Sequence, residues 1–213
     1  PMSRGLGDVY KRQVKIYNKS GHGTGFFVKG KPGLCSVLTA AHVLKEAEKN
    51  YIETKDGKRW PIEEIKMRSS GIDLALVTFK PKEEKCNYSS LKIGNSDSVK
   101  IRDHISVSGY ANRGLNRKPI LQTVEGKVSG LDQLAEGYGI SYQAFTVGGM
   151  SGGPVVDKKG EVVAIHGRTD FEIVQKRKSQ QSSLSKKQQE LYQEAVEKTV
   201  SYTHLRAHET SEN

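Results

Sequence analysis

Residues 148–157 read GGMSGGPVVD, a serine, Ser151, set between two glycine pairs and trailed by a proline and two valines. The residues after the serine decide the fold. A nucleophile raised on a strand-to-helix turn needs a helix after it. Here Pro154 has no amide hydrogen, and the β-branched pair after it favours extended backbone. The segment reads as a tight turn entering a strand. Whether Ser151 is a nucleophile or only the polar residue of a glycine-rich turn depends on the rest of the chain.

On both sides of that turn, short runs rich in β-branched and aromatic residues recur between Gly, Asn, Asp and Lys clusters. They are VKIYN (14–18), TGFFVKG (24–30), LCSVLTA (34–40), DLALVTF (73–79), HISVSGY (104–110), ILQTVEGKVSG (120–130), GISYQAFTV (139–147), GPVVD (153–157) and EVVAIHG (161–167). This spacing predicts strands. KDGK (55–58) and KKGE (158–161) read as hairpin turns whose glycines take a positive φ. Only AAHVLKEAEKN (40–50) reads as a short helix before Phe171. The pattern predicts an all-β sandwich or barrel rather than βαβ units.

From Phe171 the character changes. EIVQKRKSQQSSLSKKQQELYQEAVEKT (172–199) is polar and passes into a helical pattern with Leu191, Tyr192, Ala195 and Val196 on one side. The expected organisation is an N-terminal lobe over 14–88, a C-terminal lobe over 89–170, and a polar insertion with a helix over 171–199. Lys176, Arg177, Lys178, Lys186 and Lys187 could meet a polyanion, but no aromatic residues interleave them. A solvated linker is the better reading, and no nucleic-acid partner is expected.

The two ends read differently from the middle. Ser3–Gln13 back-translates to a DNA segment whose opposite strand reads Val200–Glu209. Two peptides sharing one segment in this way are foreign to a natural domain, and the segment resembles a sequencing-library adaptor. Residues 1–13 and 200–213 are therefore set apart as adaptor-derived tails, with the protein proper expected from about Val14 to about Thr199. His204 and His208 drop out as ligand candidates. The chain carries a net charge of +10, of which +1 sits in these ends, so the middle remains basic. A hydrophobic fraction of 35% and a mean hydropathy of −0.61 leave part of the chain outside a core. There is no stretch long and apolar enough to cross a membrane as a helix. Cys35 stands in an apolar run and Cys86 in a polar one, which suggests one buried and one surface thiol rather than a disulfide.

A serine hydroxyl is a weak nucleophile at neutral pH and needs an adjacent base, itself held in one tautomer by a carboxylate. The remaining histidines are His22, His42, His104 and His166. His42 stands in LTAAHVL, where a strand ends. Asp73 stands in GIDLALVTF, a lone acid at the entrance of an apolar strand. The glycine spacing around Ser151 also fits the elbow of α/β-hydrolases, but that fold places its serine before the acid and the histidine. Here the order is His, Asp, Ser.

TAAHVL, DLALV and GMSGGPVVD, in that order, resemble the signature segments of trypsin-like (chymotrypsin-fold) serine proteases, over about Val14 to Arg168, and most of all bacterial trypsin-like peptidase domains. The resemblance implies two packed antiparallel β-barrels. It implies His42 as general base, Asp73 as its orienting carboxylate, Ser151 as nucleophile, and the amides of Gly149 and Ser151 as the oxyanion hole. No metal or cofactor is implied, and the partner is a polypeptide substrate. Two features depart from the animal enzymes. Met150 replaces the aspartate that pairs with a new N-terminus after zymogen cleavage, and Val43 after His42 shows that a flanking cysteine is missing.

The same resemblance puts the pocket for the substrate's P1 side chain between Phe145 and Thr146 on one side and Val162–Gly167 on the other. No acid lies there, which disfavours Lys or Arg at P1. Thr146 and His166 are similar to the pair with which bacterial glutamyl endopeptidases hold an acidic side chain, and Arg168 could add charge. The family normally closes its second barrel with one more long strand and a C-terminal helix. No candidate strand appears between Thr169 and Thr199, so the second barrel is expected to lack its last strand and that helix. The function expected is a serine endopeptidase; the alternative is a non-catalytic protein-binding module on the same fold.

Overall fold

A computed structural model describes residues 9–44, 50–67, 71–82, 85–114, 116–132 and 135–169, with the backbone of Val200–His204. The strands are β1 (Gln13–Asn18), β2 (Gly21–Val28), β3 (Cys35–Thr39), β4 (Tyr51–Glu53), β5 (Arg59–Pro61), β6 (Glu64–Met67), β7 (Ala75–Phe79), β8 (His104–Ala111), β9 (Ile120–Gly130), β10 (Tyr138–Gln143), β11 (Pro154–Val156), β12 (Val162–Thr169) and β13 (Val200–His204). The all-β, chymotrypsin-like architecture expected from the sequence is observed. The first sheet runs β5-β4-β1-β2-β3-β7-β6, and the second closes as a barrel in the order β10-β13-β12-β11-β8-β9. All pairings between these strands are antiparallel.

Successive side chains along a strand point to opposite faces, and this creates three apolar clusters. Val14, Ile16, Phe27, Val37, Ile52, Val77 and Phe79 fill the first sheet's interior. Val107, Val128, Ile140, Tyr142, Met150 and Val155 fill the second barrel. Phe26 and Leu38 point the other way from their neighbours Phe27 and Val37. They meet Leu74, Leu91, Val156, Val162 and Ile165 in a seam between the sheets. The middle of β2 and the whole of β3 are thus buried on both faces, where small glycines, Thr24, Ser36 and Thr39 stand among large apolar side chains.

The turns KDGK and KKGE connect β4 to β5 and β11 to β12, with Gly57 at φ 79° and Gly160 at φ 77°. Three short strands, β4 to β6, are not among the strands expected from the sequence; only the KDGK hairpin turn points to β4 and β5. The helix expected over 40–50 is a single 3-10 turn, Ala41–Leu44, among the described residues. The strand expected over 139–147 stops at Gln143, because the backbone turns there and Thr146 N–H donates to the Ala144 carbonyl at 3.0 Å.

Two expectations are corrected. Cys35 and Cys86 are disulfide-bonded, with Cα atoms 5.1 Å apart. Cys35 pairs across the sheet with Phe79, and the chain after β7 folds back over that end of the sheet, where Tyr88 stacks on Phe27 at 4.7 Å. The polar surroundings of Cys86 in sequence hid this return. The gap expected in the second barrel is also filled. Val200–His204, from the segment set apart as a tail, pairs with β10 through Ile140↔Thr203 and Tyr142↔Ser201, and with β12 through His166↔Thr203. Facing edges of β10 and β12 would otherwise carry unpaired amides and carbonyls, and a segment of β-branched and aromatic residues satisfies both. At the other end, Val9 is buried in the seam. The basic run 176–187 and the helix read over the segment to Thr199 lie outside the described residues.

Candidate active site

The site lies where the two sheets meet, and the turns at the strand ends bring its residues together. Strand β3 ends at Thr39 and the chain tightens into the turn that carries His42. Asp73 stands two residues before β7, the neighbour of β3 in the sheet, so the two ends are adjacent. One oxygen of Asp73, Oδ1, accepts the His42 backbone N–H at 2.6 Å, and Oδ2 lies 2.5 Å from His42 Nδ1. This two-point grip fixes both the turn and the ring. The Tyr138 hydroxyl donates to the same Oδ2 at 2.6 Å. Burial pushes the Asp73 carboxyl up, but the His42 hydrogen bonds and charge, with the Tyr138 hydroxyl, outweigh it and hold Asp73 at about 2.

Ser151 is almost buried and sits in the turn between β10 and β11. That turn is tied to both sheets. From the first, Thr24 N–H donates to the Ser151 carbonyl at 2.8 Å and Thr24 Oγ1 to the Gly149 carbonyl at 2.8 Å. From the second, Asn112 N–H donates to Gly148 and Gly152 N–H to the His166 carbonyl, at 2.8 and 2.7 Å. Gly149 has φ 92°, and a Cβ there would lie 2.4 Å from His22 Nε2 and 2.5 Å from the Tyr110 carbonyl, so only glycine fits. Among the described residues the amides of Gly149 and Ser151 donate to nothing. The backbone of Gly152 also abuts Thr39 and Ala40, the segment leading into His42. Among the described residues no hydrogen bond joins the Ser151 hydroxyl to His42; such contacts are often loose until substrate arrives.

The four residues assigned to the P1 pocket are placed unequally. Thr146 and His166 are buried, whereas Phe145 is 74% exposed. His166 Nδ1 lies 2.6 Å from the Tyr142 hydroxyl. Burial, helped by the His42 charge, pulls His166 down to about 3, so its ring is neutral near pH 7. Arg168 is buried beside two of the protein's own carboxylates, with Nε 3.6 Å from Glu136 and 3.9 Å from Asp73. Met150 is buried in the second barrel's apolar cluster. Among the described residues no three His, Cys, Asp or Glu side chains group as metal ligands.

Residues 23–165 match the model of the trypsin-like peptidase domain, two thirds of the chain. The chain belongs to that family. Family membership makes it, at the level of class, a serine protease domain. A glutamyl endopeptidase of Staphylococcus aureus (strain MRSA252) is 32% identical over 139 residues, 61% of this chain and 37% of the relative. That of strain MW2 is 32% identical over 108 residues, 49% of this chain and 31% of the relative. The chain thus spans about a third of the length of the curated relatives it matches. Among solved structures, an inactive serine-to-alanine form of Rv3671c from M. tuberculosis H37Rv aligns with a TM-score of 0.62 at 16% identity, covering 95% of this chain and 84% of that one. It supports the fold.

The site holds residues that sequence reasoning missed. Thr24, His22 and Tyr110 shape the turn around Gly149, and Tyr138 touches Asp73. Their only sequence signal is their residue type, because each acts on a residue far away in the chain, Tyr138 across 65 residues.

Proposed function

We propose that this trypsin-like peptidase domain is a serine endopeptidase with His42, Asp73 and Ser151 as its triad. The observation that carries this is the Asp73 carboxylate gripping His42 at two points, beside a serine turn whose amides at 149 and 151 are undonated. Ser151 Oγ attacks the scissile carbonyl carbon while His42 Nε2 takes its proton. The Gly149 and Ser151 amides hold the oxyanion. His42 then gives the proton to the leaving amine, the C–N bond breaks, and an acyl-enzyme remains. Water, deprotonated by His42, releases the acid. Met150, seated in apolar surroundings, supplies no carboxylate for a zymogen-type switch.

An acidic P1 side chain is the specificity we infer. The relatives at 32% identity are glutamyl endopeptidases. In the tautomer in which the Tyr142 hydroxyl donates to Nδ1, the neutral His166 ring carries its proton on Nε2 and, with the Thr146 hydroxyl, can donate to a carboxylate. Arg168 adds a nearby positive field, though its guanidinium is turned toward Glu136 and Asp73.

A fluorophosphonate probe tests the chemistry. Labelling of the folded chain and its loss in Ser151→Ala is expected; a folded chain that stays unlabelled overturns the triad and favours the protein-binding module. In a panel of peptides differing at P1, Glu is expected to be cleaved fastest, and preference for Phe or Arg overturns the acidic pocket.

A further inference from the structure

Asp73 belongs to the first sheet, yet the second barrel holds it as well. The turn Ala135–Gly137 leads into β10 and reaches Asp73 twice. The Glu136 carbonyl accepts the Asp73 backbone N–H at 3.0 Å, and two residues later the Tyr138 hydroxyl donates to Asp73 Oδ2 at 2.6 Å. Glu136 takes the left-handed conformation, φ 62°, uncommon for a residue with a side chain. Across the barrel on β12, Gly167 leaves room for the tyrosine. A Cβ at Gly167 would lie 2.2 Å from Tyr138 Cε1 and 2.9 Å from its hydroxyl. A glycine inside a strand lacks a packing side chain and often marks such a close approach.

From this geometry we propose that Tyr138 is a positioning residue of the protease, fixing the Asp73 carboxylate in the rotamer that aims Oδ2 at His42, with Glu136 as its backbone anchor and Gly167 as the gap that admits it. The proposal rests on the triad reading above. Oδ2 carries the His42 contact, so a second donor on that same oxygen sets its direction and disperses its charge. The hydroxyl remains a donor at every working pH, because burial and the Asp73 charge raise its pKa far above the ordinary tyrosine value. Arg168, 3.6 Å from Glu136 and 3.9 Å from Asp73, braces the same cluster.

Tyr138→Phe keeps the ring and deletes the donor. The expected result is a fall in kcat on the order of tenfold, the size of one hydrogen bond to a charged group, with KM within about twofold. The acidic limb of the kcat/KM profile should move to higher pH, because Asp73 Oδ2 then faces His42 with its charge undispersed. Gly167→Ala, which drives a methyl into the ring, should shift the limb the same way. A Tyr138→Phe enzyme with wild-type kcat and an unmoved limb overturns the proposal. An equal loss of kcat with the limb unmoved also overturns it, since that is general loosening. Proton NMR separates this from failure of the triad reading. The low-field His42 Nδ1–H resonance should move in Tyr138→Phe even in Ser151→Ala protein, and an unmoved resonance refutes the positioning role whether or not the chain cleaves peptides.

Discussion

The two sheets are completed by different routes, and only the second closes as a barrel. The first is built by neighbours: β1 pairs β2, β2 pairs β3, and β6 pairs β7, with a disulfide fastening the return of the chain across 51 residues. The second depends on β13, which enters between β10 and β12 from beyond residue 199. Local pairing costs little loop entropy, whereas a late strand must be captured after the rest has formed. The proposed active site draws on both, taking His42 and Asp73 from the first sheet and Ser151 and Tyr138 from the second. The proposed specificity wall is therefore built on the half whose closure is the less local.

Ending the chain at Thr199 should set the two halves apart most strongly. Amides of β10 and β12 should lose slow hydrogen exchange while those of β1 to β3 keep it; uniform protection, or uniform loss, would show the halves to be one cooperative unit. Next comes the staple on the other side. Reducing the disulfide, or changing Cys35 and Cys86 to alanine together, should cost about 4 kcal/mol for a loop of this length. Denaturant unfolding with and without reductant reads that difference.

Thr24→Val cuts the tie between the halves. It removes the hydroxyl that donates to Gly149 and accepts from Tyr110 N–H, both at 2.8 Å. A loss of roughly 1–3 kcal/mol is expected from the stranded groups. Fluorophosphonate labelling should slow as well, because the Gly149 carbonyl, and with it the turn that presents the Gly149 and Ser151 amides, loses its anchor.

The last effect is graded with pH and is nil near neutrality. His166 titrates near 6.5 when unfolded and at about 3 when folded, so the unfolded chain binds the extra proton first. Its contribution is whole above pH 6.5 and declines toward pH 3, by at most about 1.4 kcal/mol per pH unit. Asp73, depressed to about 2, contributes above 3.8 and loses that contribution as the pH falls toward 2. Urea midpoints between pH 7 and 4 should fall with acid, and His166→Gln should flatten that slope.

Much of the architecture was legible because its causes are local. Alternating β-branched runs, glycines at turns and Pro154 after the serine turn all act within a few residues. DLALVTF and HISVSGY became β7 and β8 nearly residue for residue. The short strands β4 to β6 escaped because their stability comes from neighbours rather than from their own residues; RWP and EIKM hold almost no pattern. The candidate site was legible in the same measure. His42, Asp73 and Ser151 stand in segments whose types and order speak for chemistry, whereas Tyr138 in GYGISY looks like any strand residue.

The order of residues was enough to establish an all-β chain, the positions of most strands and turns, and the family that the His, Asp and Ser segments resemble. Three-dimensional packing was needed to join Cys35 to Cys86, to seat β13 in the slot beside β12, to turn Arg168 toward Glu136 and Asp73, and to rest a tyrosine 65 residues away on the Asp73 carboxylate. The physical reason is one of range. Backbone conformation is set by a residue and its nearest neighbours, whereas a hydrogen bond or a disulfide between distant segments exists only after packing has put them within a few ångströms.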